Sequence, residues 1–228
     1  MYNSSNFYPQ LASYPKHIAL IPDGGRRWAK INNCSYKDSY SISMDLITKM
    51  ADFIFEQGAE YFSVFFASTF NFKRTLKEIN DFSTVEWDYL NNTFLDYALK
   101  NDVKIKIIGI KDVNMKPFME NIIDLESKTK AGTKTVYFCF NYNSFDEIEF
   151  AFKQVREEND SFLNHLQVPH PIDILIRTGD ANVLSGFLLP QVAFARIYFL
   201  KKLFNEFTID DLKNVINSYL GFDLKYGE

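Results

Sequence analysis

Asp23, Gly24, Gly25, Arg26 and Arg27 follow one another in the stretch HIALIPDGGRRWAK. Glycines let backbone approach a ligand closely and adopt positive φ. A helix beginning near Arg26 would turn its free N–H groups toward a phosphate, and Arg27 would add a charge-assisted fork. Asp23 is an odd neighbour for an anion unless a Mg²⁺ lies between them, with carboxylate and phosphate oxygens as hard ligands. The plainer alternative is an Asp-Gly turn with surface arginines. Ser68, Asn71 and Arg74 in FFASTFNFKR suit hydrogen bonding to a diphosphate, or capping of a helix. Arg177 directly follows an apolar run, where a charge must be paired or face a cleft, and Ser185 lies shortly after it. His17, His165 and His170 have no metal-ligand spacing. GxGxxG and GxxxxGK[ST] are both missing from the sequence, so it supports neither a dinucleotide fingerprint nor a P-loop.

Five short apolar runs must position these residues: HIALI (17–21), YFSVFF (61–66), KIKIIGI (104–110), TVYFCF (135–140) and IDILI (172–176). They are nearly continuous in β-branched and aromatic residues, the pattern of strands buried on both faces. Helical patterns alternate with them. Ile42, Leu46, Met50, Phe53 and Ile54 share one helix face, with Gly58 as a stop, and 84–100, 115–129 and 145–158 also read as helices. The β-α order predicts an α/β fold with an open, mainly parallel sheet covered by helices. Ligands of such sheets bind beyond the strands' carboxyl ends, where Asp23-Gly24-Gly25, 67–74, Asn141–Asn143 and 177–187 all fall.

The 228 residues read as one domain, with 1–14 flexible or peripheral. Phe occurs 23 times, enough for a packed core or for lining an apolar cavity. A net charge of −4 argues against a broad nucleic-acid surface. Two cysteines make no disulfide framework, and no apolar run reaches transmembrane length, so the expected setting is the cytoplasm with at most peripheral membrane contact.

HIALIPDGGRRWAK resembles the HxAxxMDGNxRWA signature of the cis-prenyltransferases, the undecaprenyl diphosphate synthase family. FFASTFNFKR, NYN, DILIRTGDANVLSGFLLPQVAFARIYF and EFT resemble its later segments, in family order, over roughly His17 to Gly227. The resemblance implies a sheet of about six strands, a hydrophobic tunnel between sheet and helices, and a homodimer. It implies Mg²⁺-assisted transfer of a prenyl group from an allylic diphosphate such as dimethylallyl, geranyl or farnesyl diphosphate. Asp23 matches the essential aspartate and metal ligand. Gly24, Gly25 and Arg27 match the diphosphate cradle, with Arg26 and Trp28 as further substrate contacts in the same stretch. Ser68, Asn71 and Arg74 match the second loop, and Tyr40 stands where a phosphate-contacting His is usual.

The acceptor side departs further. Arg177 and Ser185 match two residues that hold isopentenyl diphosphate, but Ala181 replaces a Glu and Val183 an Arg. Arg196 stands where a Glu helps hold Mg²⁺, and Lys225-Tyr226-Gly227 replaces a tail motif that reaches the partner subunit. The resemblance is therefore to a divergent member, of the irregular, lavandulyl or cyclolavandulyl diphosphate synthase-like type, with a non-standard acceptor such as a second allylic diphosphate. Ordinary cis-elongation with isopentenyl diphosphate is an alternative. So is a non-catalytic partner subunit, which would have no need of Asp23 and Arg27. The aromatic-rich helix after Thr84 points to a plugged tunnel and a short product.

Overall fold

The computed structural model describes residues 14–73, 76–112, 115–156 and 160–221. Arg74, Lys225 and Gly227 lie outside these, as do residues 1–13. Tyr14 packs on the core, so the segment expected to be peripheral ends before it.

Six parallel strands, β1 (His17–Ile21), β2 (Tyr61–Ser68), β3 (Val103–Ile108), β4 (Lys134–Tyr142), β5 (Ile174–Arg177) and β6 (Arg196–Phe199), form one sheet in the order β3-β4-β2-β1-β5-β6. Between them run α1 (Gly25–Ile31), α2 (Tyr36–Glu56), α3 (Leu76–Tyr89), α4 (Leu95–Lys100), α5 (Met119–Lys128) and α6 (Ser144–Gln154), and α7 (Ile209–Leu220) closes the series. A π-helical turn over Leu90–Phe94 joins α3 to α4.

Alternation along the strands separates two cores. Ile18, Leu20, Phe62, Val64, Ile174 and Ile176 pack under residues of α2, α3, α4, α5 and α7. Ala19, Ile21, Phe65, Cys139 and Leu175 face the other way. That second face is covered largely by irregular chain, through Val168, Ile172, Phe187, Leu188 and Val192. The sheet is covered by helices as expected, most completely on the first face.

Helix α2 begins at a capping box: Ser35 Oγ accepts from the Asp38 N–H, and the Asp38 carboxylate accepts from the Ser35 N–H. Its buried stripe is rotated from the expected one. Ile42 is exposed, whereas Ser39 and Ser43 are buried, because their hydroxyls donate to the carbonyls of Gly25 and Ser39. The helix uses small polar residues where it meets the loop after β1.

Candidate active site

Strands β1 and β5 are neighbours, with Ile21 opposite Arg177. The chain leaves β1 for β2 on one side of the sheet and reaches β5 on the other, so their carboxyl ends flank the topological switch point. Two residues past the end of β1, Asp23 meets Arg177: its Oδ2 accepts from Arg177 Nη2 at 2.9 Å. Its Oδ1 lies 3.4 Å from Arg27 Nη2, one helical turn on. Arg27 Nη2 also donates to the Gly179 carbonyl at 2.6 Å. The Arg177 side chain is only 8% exposed, and its Nη1 donates to Ser185 Oγ and the Val183 carbonyl, each at 2.6 Å. Its burial is therefore offset by three hydrogen bonds, one of them to a carboxylate.

The loop is held by short-range packing. The Asp23 N–H donates to Thr178 Oγ1, whose hydroxyl donates back to the Asp23 carbonyl, both at 2.9 Å. Gly24 has φ 112°, and a Cβ there would lie 2.8 Å from Leu203 Cδ2. Gly25, also expected at positive φ, does not have it; a Cβ there would press on Ser39 Oγ at 3.3 Å. Helix α1 spans seven residues, so the arginines rather than a helix dipole supply most of the positive charge.

A cavity of about 520 Å³ opens here, with Asp23, Arg26, Arg27, Tyr40, Arg177 and Ser185 around its polar part. Phe65, Phe66, Phe70 and Glu86 add a largely aromatic wall. Ser68 and Asn71 also line it, and Asn71 Oδ1 accepts from both the N–H (2.8 Å) and Oγ (2.6 Å) of Ser68. Register shifts after Phe65 mark a bulge in β2, a common device beside sites. Behind Phe66 the interior is filled. Phe66 packs on Phe138 at 4.6 Å between centroids, and Trp87 stacks on Phe118 at 5.0 Å and meets Phe140 edge-on. Phe94, Phe138 and Phe140 are buried. Where the resemblance implies a hydrophobic tunnel, these aromatic side chains pack against one another.

Asp23, Gly24, Gly25, Arg26, Arg27, Tyr40, Ser68, Asn71, Arg177 and Ser185 are brought together as expected. Trp28 is not among the cavity-lining residues, because it lies about 100° around α1 from Arg27. Arg196 also lies off the cavity. It pairs with Ile174 at the amino end of β5, three residues from the site edge. Its Nη1 donates to the Ser218 carbonyl of α7 at 2.7 Å, and its guanidinium lies over Tyr198. A charge reversal beside the diphosphate is therefore not seen within this chain. The Asn141–Asn143 loop departs as well: Asn141 Nδ2 binds the Ile110 carbonyl and Asp112, and Asn143 caps α6. It borders a second cavity, of about 660 Å³, whose Lys111, Asp112, Glu147 and Lys153 are of mixed charge. Volume alone would have chosen that cavity; convergence of cations on one carboxylate chooses the first.

Residue-by-residue reading missed Gly179, Thr178 and Glu86. A Cβ on Gly179, at φ 82°, would lie 2.6 Å from Arg27 Nη2 and 2.9 Å from the Asp23 carbonyl carbon. The glycine two residues after Arg177 was the available signal.

Three comparisons bear on this arrangement. The family model described as "Putative undecaprenyl diphosphate synthase" matches residues 21–227. An isoprenyl transferase of Campylobacter jejuni is 32% identical over 219 residues, covering 93% of this chain and 98% of that protein. A crystal structure of a probable undecaprenyl diphosphate synthase from Campylobacter jejuni superposes with a TM-score of 0.73 at 29% identity, over 93% and 98% of the two chains. That of lavandulyl diphosphate synthase from Lavandula x intermedia, in complex with dimethylallyl diphosphate, has a TM-score of 0.87 over 94% and 99%; at 24% identity this likeness speaks for the fold.

Proposed function

From the premise that the chain belongs to the undecaprenyl diphosphate synthase-like prenyltransferase family, we propose that it ionises a short allylic diphosphate and couples the prenyl group to a non-standard acceptor, such as a second allylic diphosphate. The observation that carries this reading is Asp23 bridged by Arg27 and Arg177 at the mouth of an aromatic-walled cavity.

The residues fit a Mg²⁺. Asp23 offers a hard, partly exposed carboxylate on the cavity rim. Among the described residues no group of three metal-ligating side chains occurs, so the ion would share its coordination between Asp23, water and substrate phosphate oxygens, a common Mg²⁺ arrangement. When bound it supplies charge neutralisation of the leaving diphosphate. Arg27 and Arg177 fork onto phosphate oxygens, trading part of their hold on Asp23 for the ligand. Ser68 and Ser185 hydroxyls add donors. The faces of Phe65, Phe66 and Phe70 shield an allylic cation from water and favour its charge. The filled interior limits the product to a short chain.

For the acceptor, Val183 is 57% exposed, an apolar side chain where the resemblance has an acceptor-binding Arg. That supports an acceptor other than isopentenyl diphosphate. A second reading, ordinary elongation, draws support from the contact between Arg177 and Ser185, the two retained acceptor residues. The assembly proposed is a homodimer, which light scattering would check. The deciding experiment incubates the protein with Mg²⁺ and dimethylallyl diphosphate, with and without isopentenyl diphosphate, and identifies products by mass spectrometry. A coupled product from dimethylallyl diphosphate alone is expected. Products only with isopentenyl diphosphate would replace this reading by the second.

A further inference from the structure

Glu86 is 4% exposed and lines the cavity that holds Asp23 and the arginines. It sits on the core face of α3, in a stripe with Ser83, Leu90 and Phe94, all buried. Such a position ordinarily takes an apolar residue, and burying a carboxylate there is costly. Phe65, Phe66 and Phe70 line the same cavity and offer the hydrocarbon of a prenyl substrate an apolar wall. Among the described residues, the other charged lining groups are Asp23, Arg26, Arg27 and Arg177, from the loop after β1 and the end of β5.

We infer that Glu86 is a further catalytic residue, the base that takes the proton released when two prenyl units join. This rests on the prenyl-transfer reading above. The donor C1–O bond breaks and its electron pair leaves with the diphosphate. The acceptor's double-bond pair forms the new C–C bond, leaving a tertiary cation. An adjacent C–H bond then breaks, its electron pair closes a new C=C bond, and the proton goes to a Glu86 oxygen. Of the two carboxylates among the described lining residues, Asp23 is engaged by Arg177 and Arg27, so Glu86 is the one assigned as base.

The test compares full-length wild type, Glu86→Gln, Glu86→Asp and Glu86→Leu with Mg²⁺ and dimethylallyl diphosphate. Coupled product and diphosphate release are each followed from about pH 5 to about pH 9. Glu86→Gln should lower coupling by about 100-fold or more while diphosphate release continues as hydrolysis to the alcohol. Glu86→Asp should recover coupling to within about tenfold, and the acid limb of the wild-type profile should vanish in Glu86→Gln. Glu86→Leu, which removes the carboxylate altogether, should fail to couple. Coupling by Glu86→Gln or Glu86→Leu within about threefold of wild type overturns the inference. So does equal loss of coupling and diphosphate release with an unchanged pH profile. Wild type that neither couples nor releases diphosphate sinks the underlying reading instead.

Discussion

The two ends of the sheet both bury polar side chains, to opposite effect. At the amino end, His17 is buried with both ring nitrogens engaged: Nδ1 lies 2.9 Å from the Pro171 carbonyl and Nε2 lies 2.8 Å from Ser63 Oγ. Asp173 accepts from the N–H groups of Lys16 and His17 at 2.7 and 2.9 Å. The Ser63 contact ties β1 to β2, and the others tie the start of β1 to the segment that leads into β5. At the carboxyl end, Arg177 is also buried, but its partners Asp23 and Ser185 line an open cavity. A ligand can exchange for them. Burial of a charge is thus no mark of a site; burial with partners that face a cavity is.

Substitutions at the carboxyl end should cost rate, and those at the amino end stability. The largest effect is expected from Asp23→Ala, with turnover falling by about 10²–10³ or more and the melting temperature nearly unchanged. Steady-state diphosphate release checks it. Gly179→Ala comes next. A Cβ there meets Arg27 and the Asp23 backbone at a positive φ, so displaced guanidinium and loop should lower turnover about 10- to 100-fold, with about 1–3 kcal/mol of stability lost. His17→Leu should invert the pattern: about 1–3 kcal/mol less stable by denaturant melts, with donor KM and turnover unchanged at permissive temperature.

Acidification sharpens the contrast. Burial pushes the His17 pKa down to about 3, so the folded state keeps the ring neutral where the unfolded chain binds a proton. Its contribution to stability is full above the ordinary value of 6.5 and is lost as pH falls from there toward about 3. His17→Leu should flatten that part of the stability profile. The smallest effect belongs to Arg196→Met, which removes an exposed bond to Ser218: under about 1 kcal/mol in stability and no change in diphosphate release. A large fall in release would return Arg196 to the diphosphate site.

The same contrast explains what the sequence disclosed. Strands β1, β2, β4 and β5 were legible because each buries a nearly continuous apolar run, and β3 because Val103, Ile105 and Ile107 alternate with half-exposed lysines. Strand β6 was not, since Arg196–Phe199 is short and half-exposed at the sheet edge. Asp23, Arg27 and Arg177 stood out because charges next to apolar strands need a reason. Arg196 stood out only through the resemblance, as an Arg where a Glu is usual, and the sequence did not disclose that Ser218 of α7 would bind it off the cavity. Glu86 went unnoticed because a single acid inside an amphipathic pattern reads as a polar-face residue until packing shows which face it occupies. The rotation of α2 was invisible for the converse reason: Ser39 and Ser43 are polar by type and buried by partner.

The central claim is that Arg177, buried yet aimed at a cavity, belongs to the prenyl diphosphate site that Asp23 anchors. Titration calorimetry with a non-ionisable thiolo analogue of dimethylallyl diphosphate in Mg²⁺ tests it directly, using wild type, Arg177→Met and His17→Leu. Saturable binding should weaken by about 30-fold or more in Arg177→Met, about 2 kcal/mol, and stay unchanged in folded His17→Leu. Equal affinity of wild type and folded Arg177→Met would contradict the account.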